Sequence, residues 1–163
     1  MDKKSFWKGF AVGGVLLIAT LTILYFKVFV QPDVSLQQVE VEKLDGTKTE
    51  LAQYLGKPLV VNYWATWCRP CIKEFPYFEK VKQELGDDVN FIMISDESLE
   101  KINNFKTNNP YTFNFLRSKK SLGDYDIILR PTTYFYDAKG NLITKHTASL
   151  DVAKIKELIG KIK

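Results

Sequence analysis

The sequence predicts an α/β fold: a central mixed sheet with helices on both faces, preceded by one N-terminal transmembrane helix. Three observations carry this. The chain opens on an uncharged run from Gly9 to Phe26. After it, strand-like and helix-like periodicities alternate to the end. Midway, a nearly continuous apolar run from Leu59 to Trp64 gives way to helical spacing at a C-x-x-C pair, Cys68 and Cys71.

From Gly9 to Val30 a helix spans roughly 33 Å at 1.5 Å per residue, enough for a bilayer core of about 30 Å. Lys3, Lys4 and Lys8 precede the span, and Asp33, Glu40 and Glu42 follow it. The positive-inside rule then puts the amino terminus in the cytoplasm and the remainder in an oxidising, extracytoplasmic compartment. A cleaved signal peptide competes with this reading. The run is longer than the usual signal core and no small-x-small site follows before Pro32, so an uncleaved anchor is favoured. The expected division is 1–30 for the cytoplasmic N-terminus and anchor, 31–38 for a connector and 39–163 for the domain.

Val39 to Leu44 alternates apolar and charged residues and ends at Asp45-Gly46, a strand entering a tight turn. Lys48 to Leu55 reads as a short helix stopped by Gly56 and Pro58. Leu59 to Trp64 reads as a central strand buried on both faces. A helix from Cys68 to about Leu85 carries Ile72, Phe75, Phe78, Val81 and Leu85 on one side, with Pro76 kinking it. Val89 to Ser95 is a second buried strand. Ser98 caps a helix running to about Asn108. Phe113 to Leu116 is a short apolar segment, and Lys119 to Tyr125 a helical turn. Thr132 to Tyr136 and Leu142 to His146 form a hairpin around Lys139-Gly140-Asn141, and Asp151 to Ile162 a closing amphipathic helix. Within this mixed sheet only the β-α-β part needs a right-handed crossover.

Composition excludes several classes. With 163 residues, 45% apolar and 26% charged, the chain has material for one domain plus an appendage. A net charge of +4 on dispersed lysines indicates no nucleic-acid stripe. Two cysteines three positions apart close too small a loop to staple the domain, so their chemistry is the better reason for them. Zinc needs two further Cys or His ligands and the chain has one histidine, His146, so no metal or other cofactor is expected.

The stretch Trp64-Ala65-Thr66-Trp67-Cys68-Arg69-Pro70-Cys71, followed by Glu74-Phe75-Pro76 and, far downstream, by Arg130-Pro131-Thr132-Thr133, resembles the thioredoxin superfamily. Within it the chain is similar to the membrane-anchored thiol-disulfide oxidoreductases of the TlpA/ResA type, over roughly Val39 to Lys163. The resemblance implies a thioredoxin-like fold and a cis Pro131 lying against the cysteines. Thioredoxins carry a buried aspartate six residues before the first cysteine. Here that residue is Asn62, which cannot move protons, whereas the glutamate of TlpA/ResA-like relatives is present as Glu74.

On these grounds Cys68 is the expected nucleophile, favoured as a thiolate by the helix dipole and by Arg69. Cys71 resolves the mixed disulfide and Glu74 takes its proton. Trp67, Arg69, Pro70, Arg130 and Pro131 are the expected substrate-binding residues. The resemblance implies protein disulfides as substrates, apocytochrome c being typical, with electrons from a membrane thiol donor and the bilayer engaged through residues 9–30. A disulfide-forming oxidase, a non-catalytic thioredoxin-like module, a copper-handling protein and a peroxidase are the competing readings. The intact C-x-x-C, the lack of a third metal ligand and the closeness of the two cysteines weigh against the last three.

Overall fold

The structure, a computed structural model, describes the backbone of residues 3–29 and 35–163 and the side chains of residues 13–26 and 35–163. The chain divides into two units, Met1–Pro32 and Asp33–Lys163. The first contains helix α1, Lys3–Phe29, in which Val15, Leu17, Ile18, Leu21 and Leu24 are all more than half exposed. Thr20 and Thr22 donate their hydroxyls back to the carbonyls of Leu17 (2.8 Å) and Ile18 (2.7 Å). Among the described residues no helix is long and apolar enough to cross a membrane. The described side chains cover only 13–26, roughly 21 Å at 1.5 Å per residue. Lys3, Lys4, Lys8 and Lys27, which flank the expected span, and Pro32 and Asp33 of the connector lie outside them.

In the second unit, strands β1 (Val41–Lys43), β2 (Lys48–Thr49), β3 (Leu59–Tyr63), β4 (Asn90–Ser95), β5 (Asn114–Ser118), β6 (Thr132–Tyr136) and β7 (Leu142–Thr147) form one sheet. Its order is β2-β1-β5-β4-β3-β6-β7. β3, β4 and β5 run parallel, and the outer pairings are antiparallel. Helices α2 (Arg69–Leu85) and α3 (Leu99–Asn108) supply the two crossovers, and α4 (Val152–Gly160) closes the chain. Phe113 to Leu116 is expected only as a short apolar segment. Pairing extends it to Ser118 and makes it the third parallel strand.

A second correction concerns Lys48 to Leu55, which is not a helix. Gly46, at φ +85°, and the Asp45 carboxylate, which accepts the Thr47 N–H at 2.9 Å, close a hairpin. Lys48 and Thr49 then pair with Glu42 and Val41, and only a 3₁₀ turn, Leu51–Tyr54, remains. The third correction concerns the helices, which do not cover both faces. Val60, Phe91, Met93, Phe115 and Phe135 point to one face and meet Phe75 and Phe78 of α2, Ile102 of α3 and Ile155, Leu158 and Ile159 of α4. The alternate residues Leu59, Val61, Tyr63, Ile92, Ile94, Tyr134 and Tyr136 form a second cluster. That cluster is roofed by Leu36, Leu51 and Leu122 of 3₁₀ turns.

The helical face is an aromatic cluster. Phe75 lies with its ring centroid 5.1 Å from that of Trp64, 5.8 Å from Phe105, 5.6 Å from Tyr111 and 5.7 Å from Phe113. Truncating a ring at such a centre loses its transfer free energy and leaves a cavity that the neighbouring rings cannot close. Phe75→Ala is expected to destabilise the domain by about 3–5 kcal/mol, measured as a lower urea midpoint at unchanged slope.

Candidate active site

β3 ends at Tyr63, and the chain then turns through Ala65 and Thr66 into α2. Cys68 is the N-cap of that helix, and its Sγ accepts the Cys71 N–H at 3.3 Å. Pro70 stands in the first turn, where a missing N–H has no partner to lose. Cys68 and Cys71 are joined as a disulfide, with S–S 2.03 Å. Cys71 is fully buried and Cys68 keeps 4% of its surface, so Cys68 is the one of the pair that retains any contact with solvent. Trp67 is 66% exposed, and Arg69 and Pro70 are also exposed.

The Arg130–Pro131 peptide bond is cis. Antiparallel pairing of Tyr63 with Thr132 sets Pro131 at the end of β3 from which the chain leaves for Cys68. Pro131 is buried. The Arg130 guanidinium lies 5.6 Å from the centroid of the Trp67 ring. The fold therefore joins at one edge of the sheet the two segments that lie about sixty residues apart in sequence.

Glu74, in the second turn of α2, is completely buried. Its Oε1 accepts the side-chain amide of Asn62 at 2.8 Å, and its Oε2 accepts the Leu150 N–H at 2.8 Å. Asn62 reaches it because β3 alternates. With Leu59, Val61 and Tyr63 on the tyrosine face, Asn62 faces α2 beside Val60. The same Asn62 amide donates to Thr133 Oγ1 at 2.9 Å, while Asn62 Oδ1 is buried with no hydrogen-bond partner among the described residues. Burial, which penalises the charged form, raises the Glu74 midpoint from 4.5 to about 7, against the lowering effect of the Leu150 and Asn62 donors. Asn62 is thus a donor to the buried Glu74 carboxyl and not itself a titratable group.

Sequence reasoning missed Asn62, Thr133 and Leu150 as parts of this site, and Asp96, whose carboxylate pairs with Arg130 at 2.8 Å. The alternation of β3 was a signal for Asn62. For Leu150, a backbone donor in the loop before α4, the sequence held none.

The chain matches the family model described as AhpC/TSA over residues 31–145. It is 35% identical to the thioredoxin-like protein YneN of Bacillus subtilis over 73% of this chain and 70% of that one. Against the thiol-disulfide oxidoreductase ResA of the same organism the identity is 29%, over 75% of this chain and 70% of that one. The crystal structure of StoA from Bacillus subtilis superposes with a TM-score of 0.60 at 22% identity, covering 72% of this chain and 95% of that one, a likeness of fold.

The buried carboxyl makes a pH signature. Because the folded midpoint of Glu74 lies near 7 and the unfolded one near 4.5, the folded chain holds this proton where the unfolded chain has released it. The stabilisation is complete below the unfolded value and is lost as pH rises through about 7. The stability of the wild type relative to Glu74→Gln is expected to fall by on the order of 3 kcal/mol between about pH 4.5 and pH 8, measured by urea unfolding of both oxidised proteins. A pH-independent difference would contradict the assignment.

With a C-x-x-C disulfide at the head of a helix on a thioredoxin-like fold, and relatives bearing the name, the chain is a thiol-disulfide oxidoreductase, and it belongs to the AhpC/TSA family.

Proposed function

We propose that this protein reduces disulfides in other proteins on the outer side of a bacterial cell membrane, through the Cys68/Cys71 couple, with α1 as its anchor. The observation that carries the reading is the sealed pair Cys71 and Glu74 beneath a barely accessible Cys68. In the forward reaction the Cys68 thiolate attacks one sulfur of the partner's disulfide, and the other partner sulfur leaves as a thiolate. Cys71 then gives its proton to Glu74 and attacks Cys68 Sγ. The mixed disulfide breaks, the second partner thiolate leaves and the Cys68–Cys71 disulfide forms. Two electrons pass from the dithiol to the partner, and a membrane thiol donor must return them.

Trp67, Arg69 and Pro70 would meet the partner on the helix side, and the Arg130 backbone beside cis-Pro131 on the other. Apocytochrome c is the partner class to test first, on the likeness to ResA. The exposed leucines, isoleucines and valine of α1 support the anchor, as do the internally satisfied Thr20 and Thr22 hydroxyls, since lipid offers no hydrogen-bond partners. Lys3, Lys4 and Lys8, ahead of the uncharged run of α1, support a cytoplasmic amino terminus and an extracytoplasmic domain.

The full-length chain in detergent, supplied with a dithiol, is expected to reduce insulin, and Cys68→Ser to abolish this. A Cys68/Cys71 reduction potential near the thioredoxin value of about −270 mV fits a reductase, whereas one near −120 mV would make the protein an oxidase. Glu74→Gln is expected to slow turnover on the order of 10- to 100-fold around neutral pH and to remove one limb of the pH–rate profile. Unchanged profiles would exclude Glu74 as the proton carrier.

A further inference from the structure

β3 and β4 are adjacent and parallel, so their carboxyl ends emerge side by side. Trp64 N–H still bonds to the Ile94 carbonyl at 3.0 Å after β3 has ended. The residues that leave β4 at this edge are Asp96 and Glu97, two carboxylates beside a thiol-disulfide centre that the chemistry above does not use. Both side chains are largely buried, Glu97 being 7% and Asp96 19% exposed.

Each holds a different loop of the site. Glu97 accepts the Thr66 N–H at 2.6 Å through Oε2 and the Thr66 hydroxyl at 2.8 Å through Oε1. It thereby grips from both sides the residue that precedes Trp67. Ser95 Oγ adds a 3.3 Å bond to Oε2, and Lys101 Nζ stands 3.9 Å from Oε1. The strand end itself is tied by Arg117, which donates from Nε to the Glu97 carbonyl at 3.2 Å and from Nη1 to Glu42 at 2.7 Å.

Asp96 accepts the Arg130 guanidinium at 2.8 Å and the Leu122 N–H at 2.9 Å, both on Oδ2. Arg130 Nε is buried and has no acceptor among the described residues. Asp96 and the Trp67 ring are therefore what fix the guanidinium. The contacts close a ring: Glu97 to Thr66, Thr66 to Trp67 along the chain, Trp67 to Arg130, and Arg130 back to Asp96.

We propose that Asp96 and Glu97 are positioning residues for partner docking, setting in advance the gap between the Trp67 loop and the cis-Pro131 loop into which a partner's chain must enter. The inference rests on the thiol-disulfide reading above and adds how that site selects its partner. Because the Arg130 charge is matched by Asp96 and its guanidinium carbon lies over the Trp67 ring, the cis-proline side of the gap meets the partner with backbone and not with a free charge. Arg69 and Lys73, which make no ion pair among the described residues, are left as the cations facing outward. A preformed gap lowers the ordering cost of binding a long chain and does little for a reagent too small to touch both walls.

The test compares two disulfides on the full-length reduced protein in detergent: insulin, which spans the gap, and hydroxyethyl disulfide, which does not. Asp96→Asn and Glu97→Gln are each expected to raise KM for insulin about 5- to 10-fold while kcat moves less than about 2-fold. The second-order rate with hydroxyethyl disulfide is expected to fall by less than about 3-fold. Thr66→Val, which removes one Glu97 bond and leaves both carboxylates in place, supplies the same comparison for the Glu97 arm if Glu97→Gln fails to fold. Equal losses on the two disulfides, a change confined to kcat, or an unchanged KM would overturn the proposal. A wild type inactive on both disulfides would overturn the thiol-disulfide reading itself, before any variant is compared.

Discussion

A carboxyl group without water around it is the constraint on which the arrangement of this domain turns. Glu74 lies between the cysteine helix and the sheet, and its two oxygens are supplied by different parts of the fold, Asn62 of β3 and the Leu150 amide at the entry to α4. Asn62 in turn reaches Thr133 of β6. Leaving either oxygen unmet in an apolar interior costs about 1–3 kcal/mol or more, so α2, two adjacent strands and the start of the last helix are held in one register. The Asp151 cap of α4, whose carboxylate accepts the Lys154 N–H at 2.8 Å, fixes where that helix begins and so where the Leu150 amide points.

How much of this was legible in the sequence depended on whether a signal was local. The Ser98 cap, the C-x-x-C at a helix start, the hairpin at Gly140 and the period of α4 are all decided by residues within one or two turns of each other, and the structure agrees with them. The stretch Lys48 to Leu55 was misread because its helical composition yields to ladder bonds from β1, a partner that its own sequence does not announce. The roof of the second face failed for a related reason. Apolar strands buried on both sides imply cover on both sides, but not whether that cover is helix or 3₁₀ turn.

The candidate site divides along the same line. Cys68, Cys71, Glu74 and Pro131 carry a recognisable motif and stand out in the sequence, whereas the residues packed around them do not. Asp96 and Glu97 look like solvated charges before a helix, and Asn62 looks like a lost aspartate. Their meaning comes from strand adjacency: the carboxyl ends of two parallel strands deliver chemistry and support to one edge, wherever the residues lie in the chain.

Burial also decides whether Glu74 can serve the proposed reaction. An ordinary thiol with a midpoint of about 8.5 giving its proton to an ordinary glutamate near 4.3 faces an uphill transfer of about 6 kcal/mol, a large part of any barrier that a working enzyme can tolerate. With the carboxyl lifted to about 7, the same transfer costs about 2 kcal/mol. The two N–H donors restrain the lift, since each favours the charged acceptor form that must be present before the proton arrives. A wholly unpaired glutamate at this depth would already hold its proton and could not accept another. The hydrogen bonds from Asn62 and Leu150 therefore do two things at once: they complete the core, and they keep the carboxyl ionised and so free to take a proton, while burial makes it basic enough to hold one.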